Sequence, residues 1–182
     1  MAATQWDFDK VHSSINFSVR HLMVSKVRGQ FHDWSGTLLF DTDDITRSKV
    51  DVTIQAASID TKEEKRDAHL RSGDFFDVEK FPTLGFKSTS IEKISDEEIK
   101  IHGDLTIHGV TKPVTLVTEV SGIQKDPWGG TRTGFSASVA IERGDYGLHY
   151  NAALEAGGVV VGKKVEITLE IEAVKKVDAK AA

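Results

Sequence analysis

Apolar and polar residues alternate along most of this chain. Ile15, Phe17 and Val19 alternate with Asn16, Ser18 and Arg20. Val50, Val52 and Ile54 alternate with Asp51, Thr53 and Gln55. Ile99, Ile101, Leu105 and Ile107 share one face, and Lys100, His102, Asp104, Thr106 and His108 the other. Val165, Ile167, Leu169 and Ile171 alternate with Lys164, Glu166, Thr168 and Glu170. A period of two predicts strands with one buried and one wet face. Many such strands and few helices bring the apolar faces onto a common interior, in a two-layer sandwich or a closed barrel. Function then turns on whether that interior is filled or hollow.

The pattern predicts strands over 5–9, 11–21, 27–31, 36–40 and 48–57. After a helical interruption it resumes over 83–90, 91–94, 98–107, 114–122, 131–143 and 163–174. Turn residues separate them, notably Asp41-Thr42-Asp43-Asp44 and Lys125-Asp126-Pro127-Trp128-Gly129-Gly130. Pro113 must stand at a strand start or edge, because it donates no ladder hydrogen bond. One helix is predicted over 62–71, with Thr61 and Glu64 as its capping box and Gly73 at its C′ position. Its apolar side is thin, Ala68 and Leu70 helped by Phe75 and Phe76, so it plugs or flanks the sheet. Between 144 and 162 lies a Gly-rich loop. No fixed-period repeat suggests a propeller or solenoid.

The length of 182 residues suits one domain, here 1–176, with 177–182 as a frayed tail. A net charge of −5 argues against nucleic acid, which needs clustered Lys and Arg. The absence of cysteine excludes disulfides, thiolate ligands and a Cys nucleophile. The opening residues have no basic and apolar leader pattern, so a cytoplasmic location is the expectation, or a periplasmic one if a leader has been removed. The longest apolar stretch is too short to span a bilayer.

Candidate chemistry is sparse. His102, Asp104 and His108 share a strand face, but positions six apart lie ~20 Å apart, too far for one ion. No metal site or cofactor is expected. Gly134-Phe135-Ser136-Ala137-Ser138 matches a nucleophile elbow only in part and lies mid-strand. There is no phosphate-binding loop or dinucleotide fingerprint. Arg66-Asp67 and Arg143-Gly144-Asp145 read either as head-group clamps or as ion pairs tethering helix and loop. No convincing catalytic constellation emerges, so no enzymatic activity is expected from these motifs.

Small residues punctuate the apolar faces: Gly29 between Val27 and Phe31, Gly103 between Ile101 and Leu105, Ala137 between Phe135 and Val139. They either hollow the interior or relieve bends in a curved sheet. His21 continues the face of Ile15, Phe17 and Val19, as a polar contact at a cavity mouth or as a satisfied core histidine. If the interior is hollow, magnitudes favour a long occupant. Burying one CH₂ gains ~0.8 kcal/mol, and association costs ~4–15 kcal/mol. A chain of about twenty carbons gains ~16 kcal/mol gross by the same coefficient.

Taken together, Trp6, Asp9, His12-Ser13, Ile15, Phe17, Val19 and His21, then Val27, Gly29 and Phe31, make a recognisable opening. Thr61, Arg66-Asp67, His69-Leu70, Phe75-Phe76-Asp77 and Phe81-Pro82 follow. Gly103, Leu105-Thr106-Ile107, Gly109-Val110-Thr111-Lys112-Pro113-Val114, Arg143, Asp145-Tyr146-Gly147 and residues 165–173 complete the set. Over residues 6–173 the chain resembles the YceI-like family of lipocalin-type polyisoprenoid-binding proteins. The resemblance implies an all-β fold, an extended antiparallel lipocalin-like barrel of about eight strands with one short helix. It implies a long isoprenoid or related lipid, such as a quinone precursor or fatty amide, carried, stored or sequestered in an apolar tunnel, and often a homodimer. It implies no settled enzymatic activity and no stable membrane insertion.

On this reading Phe17, Val19, Phe31, Phe86, Ile101, Leu105, Phe135 and Val139 line the tunnel. Phe75 and Phe76 cover one end, and His21 is the polar contact at the mouth. Two rival expectations are an enzyme modifying the lipid, with His21 as acid or base, and a packed interaction module without a small ligand.

Overall fold

The computed structural model describes residues 2–152 and 160–177. Twelve strands run through them: β1 (Thr4–Phe8), β2 (Ser14–His21), β3 (Ser25–Phe31), β4 (Trp34–Phe40), β5 (Lys49–Gln55), β6 (Ile59–Asp60), β7 (Thr83–Lys93), β8 (Glu98–Ile107), β9 (Val110–Val120), β10 (Gln124–Lys125), β11 (Thr131–Glu142) and β12 (Val161–Lys175). All pairings are antiparallel. The strands β1, β4, β5, β7, β8, β9, β11 and β12 form a ring, which β11 closes against β12 from Arg132↔Val174 to Glu142↔Lys164. This is an eight-stranded barrel. Closure removes the sheet edges that an open sheet would leave exposed.

One irregularity of the ring positions the site. Strand β12 is too long for one partner on its second side. Its C-terminal part pairs with β1, from Trp6↔Lys175 to Phe8↔Ala173. Its N-terminal part pairs with β2, from Val161↔His21 to Glu170↔Ser14. Between β1 and β2 the chain makes a short 3₁₀ turn, Lys10–His12, capped by Asp9, so the strand expected over 11–21 begins only at Ser14. Beyond β2, the strands β3 and β6 extend as a flap.

The expected break near residue 90 is a bulge inside one strand, a register shift between Ser88 and Ser90 in β7. Pro113 lies within β9, opposite Asp104 of β8. Strand β11 reaches only Val117 to Val120 of β9, so Pro113 faces outward where β9 has a free side.

Among the described residues the single α-helix, α1, spans Glu64–Arg71. Its cap is Glu63, whose carboxylate accepts from the amides of Lys65 and Arg66, and not Thr61. Thr61 is buried, and its hydroxyl and amide both donate to Asp67. That hydroxyl therefore serves a side-chain contact with Asp67 instead of capping the helix. Gly73 is not left-handed; the helix ends at Ser72 in extended backbone. Leu70 and Phe76 pack on the main core, which also holds Ile15, Phe31, Trp34 and Ile54.

A cavity inside the barrel

The period-two faces all point inward, and they do not fill the barrel. A cavity of about 240 Å³ runs between them, and its exposed wall is wholly apolar. By the same kind of measure one water needs about 10–15 Å³, and cavities with apolar walls stay dry. Thr118, a hydroxyl residue among those lining it, donates to the carbonyl of Leu116 and offers the lumen nothing polar.

Phe17 and Val19 of β2, Phe31 of β3 and Phe86 of β7 contribute one part of the wall. Ile101 and Leu105 of β8, with Phe135 and Val139 of β11, contribute another. Phe75 and Phe76, just beyond α1, also face the cavity. His21 is not part of the wall. It shares the face of Val19 but is the last residue of β2, one step before the exposed turn Leu22-Met23-Val24.

Two glycines explain how large rings fit without blocking the lumen. Gly29 lies across from Phe17, and a Cβ there would overlap the Phe17 ring. A Cβ at Gly103 would overlap the Phe86 ring and the carbonyl of Lys87. Each phenylalanine therefore lies over a glycine, flat against the wall. A ring so placed takes up less of the lumen than one projecting across it, and a strand glycine often marks such a close approach.

The two ends of the cavity are closed differently. At the β1 end, Trp6, Leu38, Phe40 and Ala173 form a buried block. Phe40 meets Trp6 edge-on at 5.3 Å and Phe135 edge-on at 5.6 Å between ring centres. Outside this floor, Arg132 bonds Asp126 at 2.7 Å, Asp9 at 2.8 Å and Glu172 at 2.6 Å. These three carboxylates hold the guanidinium well above its usual range. His12 also bonds Asp9 at 3.0 Å. That bond is the largest cause lowering the Asp9 carboxyl to about 2, and it raises the His12 imidazole above its ordinary value. Asp9, His12 and Glu172 are close enough together to hold a cation, and the guanidinium of Arg132, bonded to both carboxylates, already lies against that cluster.

At the other end the cover comes from α1 and the segment after β11. Phe75 packs with His69 and Tyr150, each at 5.1 Å, and His69 meets Tyr150 at 4.8 Å. Arg143, 5% exposed, anchors that segment. It donates to the carbonyls of Gly162, Leu148, Tyr150 and Val161. Burial alone lowers its pKa. Arg66 likewise donates to the hydroxyl and carbonyl of Thr61, while Asp67 accepts from Thr61. The tethers expected as ion pairs are thus hydrogen bonds between a charged side chain and neutral partners. Of the Gly-rich stretch, residues 153–159 lie outside the described residues, as do 178–182 of the expected tail.

His102, one of the wet-face histidines, bonds Thr115 at 2.8 Å and Glu92 at 3.3 Å, an ordinary outer-surface arrangement. Sequence reasoning missed Phe8, Trp34, Leu38 and Phe40, which also line the lumen. The period of two in Leu38 and Phe40 was a usable signal for that pair.

Comparison with known proteins agrees with this geometry. Residues 6–173 match the family model described as the YceI-like domain. A UPF0312 protein of Vibrio vulnificus is 40% identical over 172 residues, covering 93% of this chain and 86% of that protein. The crystal structure of a Campylobacter jejuni YceI protein is 35% identical, with a TM-score of 0.76, covering 87% of this chain and 90% of that one. A polyisoprenoid binding domain from Saccharophagus degradans has a TM-score of 0.72 over 96% of this chain and 99% of its own. At 15% identity that likeness shows the fold alone. With the family model spanning nearly the whole barrel, the chain belongs to the YceI-like domain family.

Proposed function

We propose that this protein binds a long, slender, apolar lipid of the polyisoprenoid class inside its barrel, to carry, store or sequester it without changing it. The observation that carries this reading is the continuous apolar cavity, walled by side chains from both halves of the barrel. Affinity comes from burial of the tail, at ~0.8 kcal/mol per CH₂, against the cost of association. The described wall supports a ligand recognised by shape and oiliness, since it offers the tail no polar atom. The fold shared with a polyisoprenoid binding domain points the same way.

The wall residues Phe17, Val19, Phe31, Phe86, Ile101, Leu105, Phe135 and Val139 would contact the tail, with Phe75 and Phe76 over one end. Ala137 tests this directly. It lines the cavity between Thr118 and Leu169 of the neighbouring strands. Ala137→Phe puts a ring into the lumen while keeping the strand apolar. Native mass spectrometry after gentle purification, with extraction of any bound lipid, should show an occupied wild type and an empty variant. Folded wild-type protein that never carries or accepts a polyisoprenoid would remove the reading.

A further inference from the structure

The hairpin joining β2 to β3 is the most unusual surface on this molecule. Its turn runs His21-Leu22-Met23-Val24, closed by the amide of Val24 donating to the carbonyl of His21 at 3.1 Å. Both central residues have positive φ, 52° at Leu22 and 58° at Met23. Positive φ at both centres is the type I′ arrangement, for which Asn-Gly is the preferred pair. Here bulky apolar residues hold the left-handed conformation instead. They are not buried for it: Leu22 is 42%, Met23 62% and Val24 82% exposed. A strained backbone that presents oily side chains to solvent is not explained by folding.

Among the described residues, charge around the tip is of one predominant sign. Arg20, Lys26, Arg28, Lys163 and Lys164 are all exposed on the three strands that meet there. Glu166, bonded to Lys26 at 3.2 Å, and Glu142, opposite Lys164, are the acids among them. This local excess of positive charge stands on a chain whose net charge is −5. The tip is also continuous with the cavity. Val19 and Val161 line the lumen, Val161 pairs with His21, and the amide of Leu22 donates to the carbonyl of Val160 at 2.8 Å.

From these observations we infer that the β2–β3 tip docks the barrel on a lipid surface bearing anionic head groups, with Leu22, Met23 and Val24 entering the interface and the surrounding Arg and Lys holding the head groups. Apolar side chains ringed by basic ones are the arrangement that binds such a surface. The inference deepens the lipid-binding reading and rests on it, because docking there brings that end of the lumen to the source of its ligand. On a chain of net negative charge, this basic patch is the face that would meet an anionic surface.

The test is co-sedimentation of the full chain with extruded vesicles, either phosphatidylcholine alone or phosphatidylcholine mixed with phosphatidylglycerol. Wild type should bind the anionic vesicles, bind neutral ones poorly, and be released by high salt. The double substitution Leu22→Asn with Met23→Gly relieves the turn while deleting its apolar tip. It should fold at least as stably as wild type and lose binding about tenfold. Arg20→Glu with Arg28→Glu should lose it as well, by a second route. Wild type that ignores anionic vesicles, or a double variant that binds them as wild type does, would overturn the inference. Lipid occupancy of the lumen is read separately, by native mass spectrometry. An empty lumen with intact vesicle binding refutes the carrier reading alone; an occupied lumen without vesicle binding refutes the docking alone.

Discussion

One strand, β12, runs the length of this barrel, and its two halves have different neighbours. Beside β1 it closes a floor: Trp6 is 1% exposed, Ala173 is fully buried, and both sit in strands of the ring. Beside β2 it borders a looser construction, in which the flap β3–β6, α1 and the segment after β11 supply the closing residues. The floor's rings come from β1, β4 and β11 and are fixed by ladder register. The cover's rings, Phe75 and Tyr150, come from segments outside the ladder. Tyr150 is 39% exposed. A barrel that must admit a long molecule needs one permanent end and one that opens. On the proposed lipid-binding reading the cover is the end that opens, because local opening is cheapest where few ladder bonds and buried contacts are lost.

Substitutions at each end should separate the two. Trp6→Ala removes the floor's largest side chain from a fully packed site and should cost about 3–5 kcal/mol, read from urea unfolding. Arg143→Met leaves the carbonyls it serves without a donor in a buried place, at a cost of roughly 3 kcal/mol. The same variant should loosen the cover and raise proteolysis near residues 144–152. Phe75→Ala should cost less stability than Trp6→Ala, because one side of its ring faces the empty lumen. Its main effect should be on lipid exchange, faster by roughly tenfold, which corresponds to about 1.4 kcal/mol. Equal effects of Trp6→Ala and Phe75→Ala on exchange would abolish the distinction between the ends.

The smallest effect is one of pH at the floor. The Asp9 carboxyl is depressed from 3.8 to about 2 in the folded protein. Its contribution is therefore present above its unfolded value and lost as pH falls from about 4 toward 2. His12 is raised, so its contribution is present below its ordinary value of 6.5 and disappears as pH climbs through the raised value. The unfolding midpoint of wild type should converge on that of Asp9→Asn as pH is lowered across the acid window. Parallel curves for the two proteins would show that the Asp9 bonds add nothing.

The barrel was legible because alternation names the face of each residue without tertiary knowledge. Ile101, Leu105, Phe135 and Val139 reached the wall for that reason. His21 shows where the same rule stops. Alternation assigns a face but not how far the cavity extends along the strand, and β2 ends at the rim. The cover was less legible. Thr61 has the chemistry of a cap, but Asp67 and Arg66, in the first turn of the adjoining helix, claim its hydroxyl. Arg143 beside Asp145 suggested an ion pair, yet four carbonyls surround its guanidinium, and backbone oxygens leave no mark in a sequence. Gly29 and Gly103 were visible as small residues; that each seats a phenylalanine ring required the register between strands.

The central claim is that a hollow lumen holds a long hydrocarbon. A crystal structure of the protein grown with an all-isoprene alcohol tests it most directly. The expected result is unbroken density threading the barrel from Phe135 toward Val161, with the floor at Trp6 unmoved and any displacement confined to Phe75, Phe76 and Tyr150. A lumen collapsed onto its own side chains, with the alcohol absent or bound only outside, would contradict it.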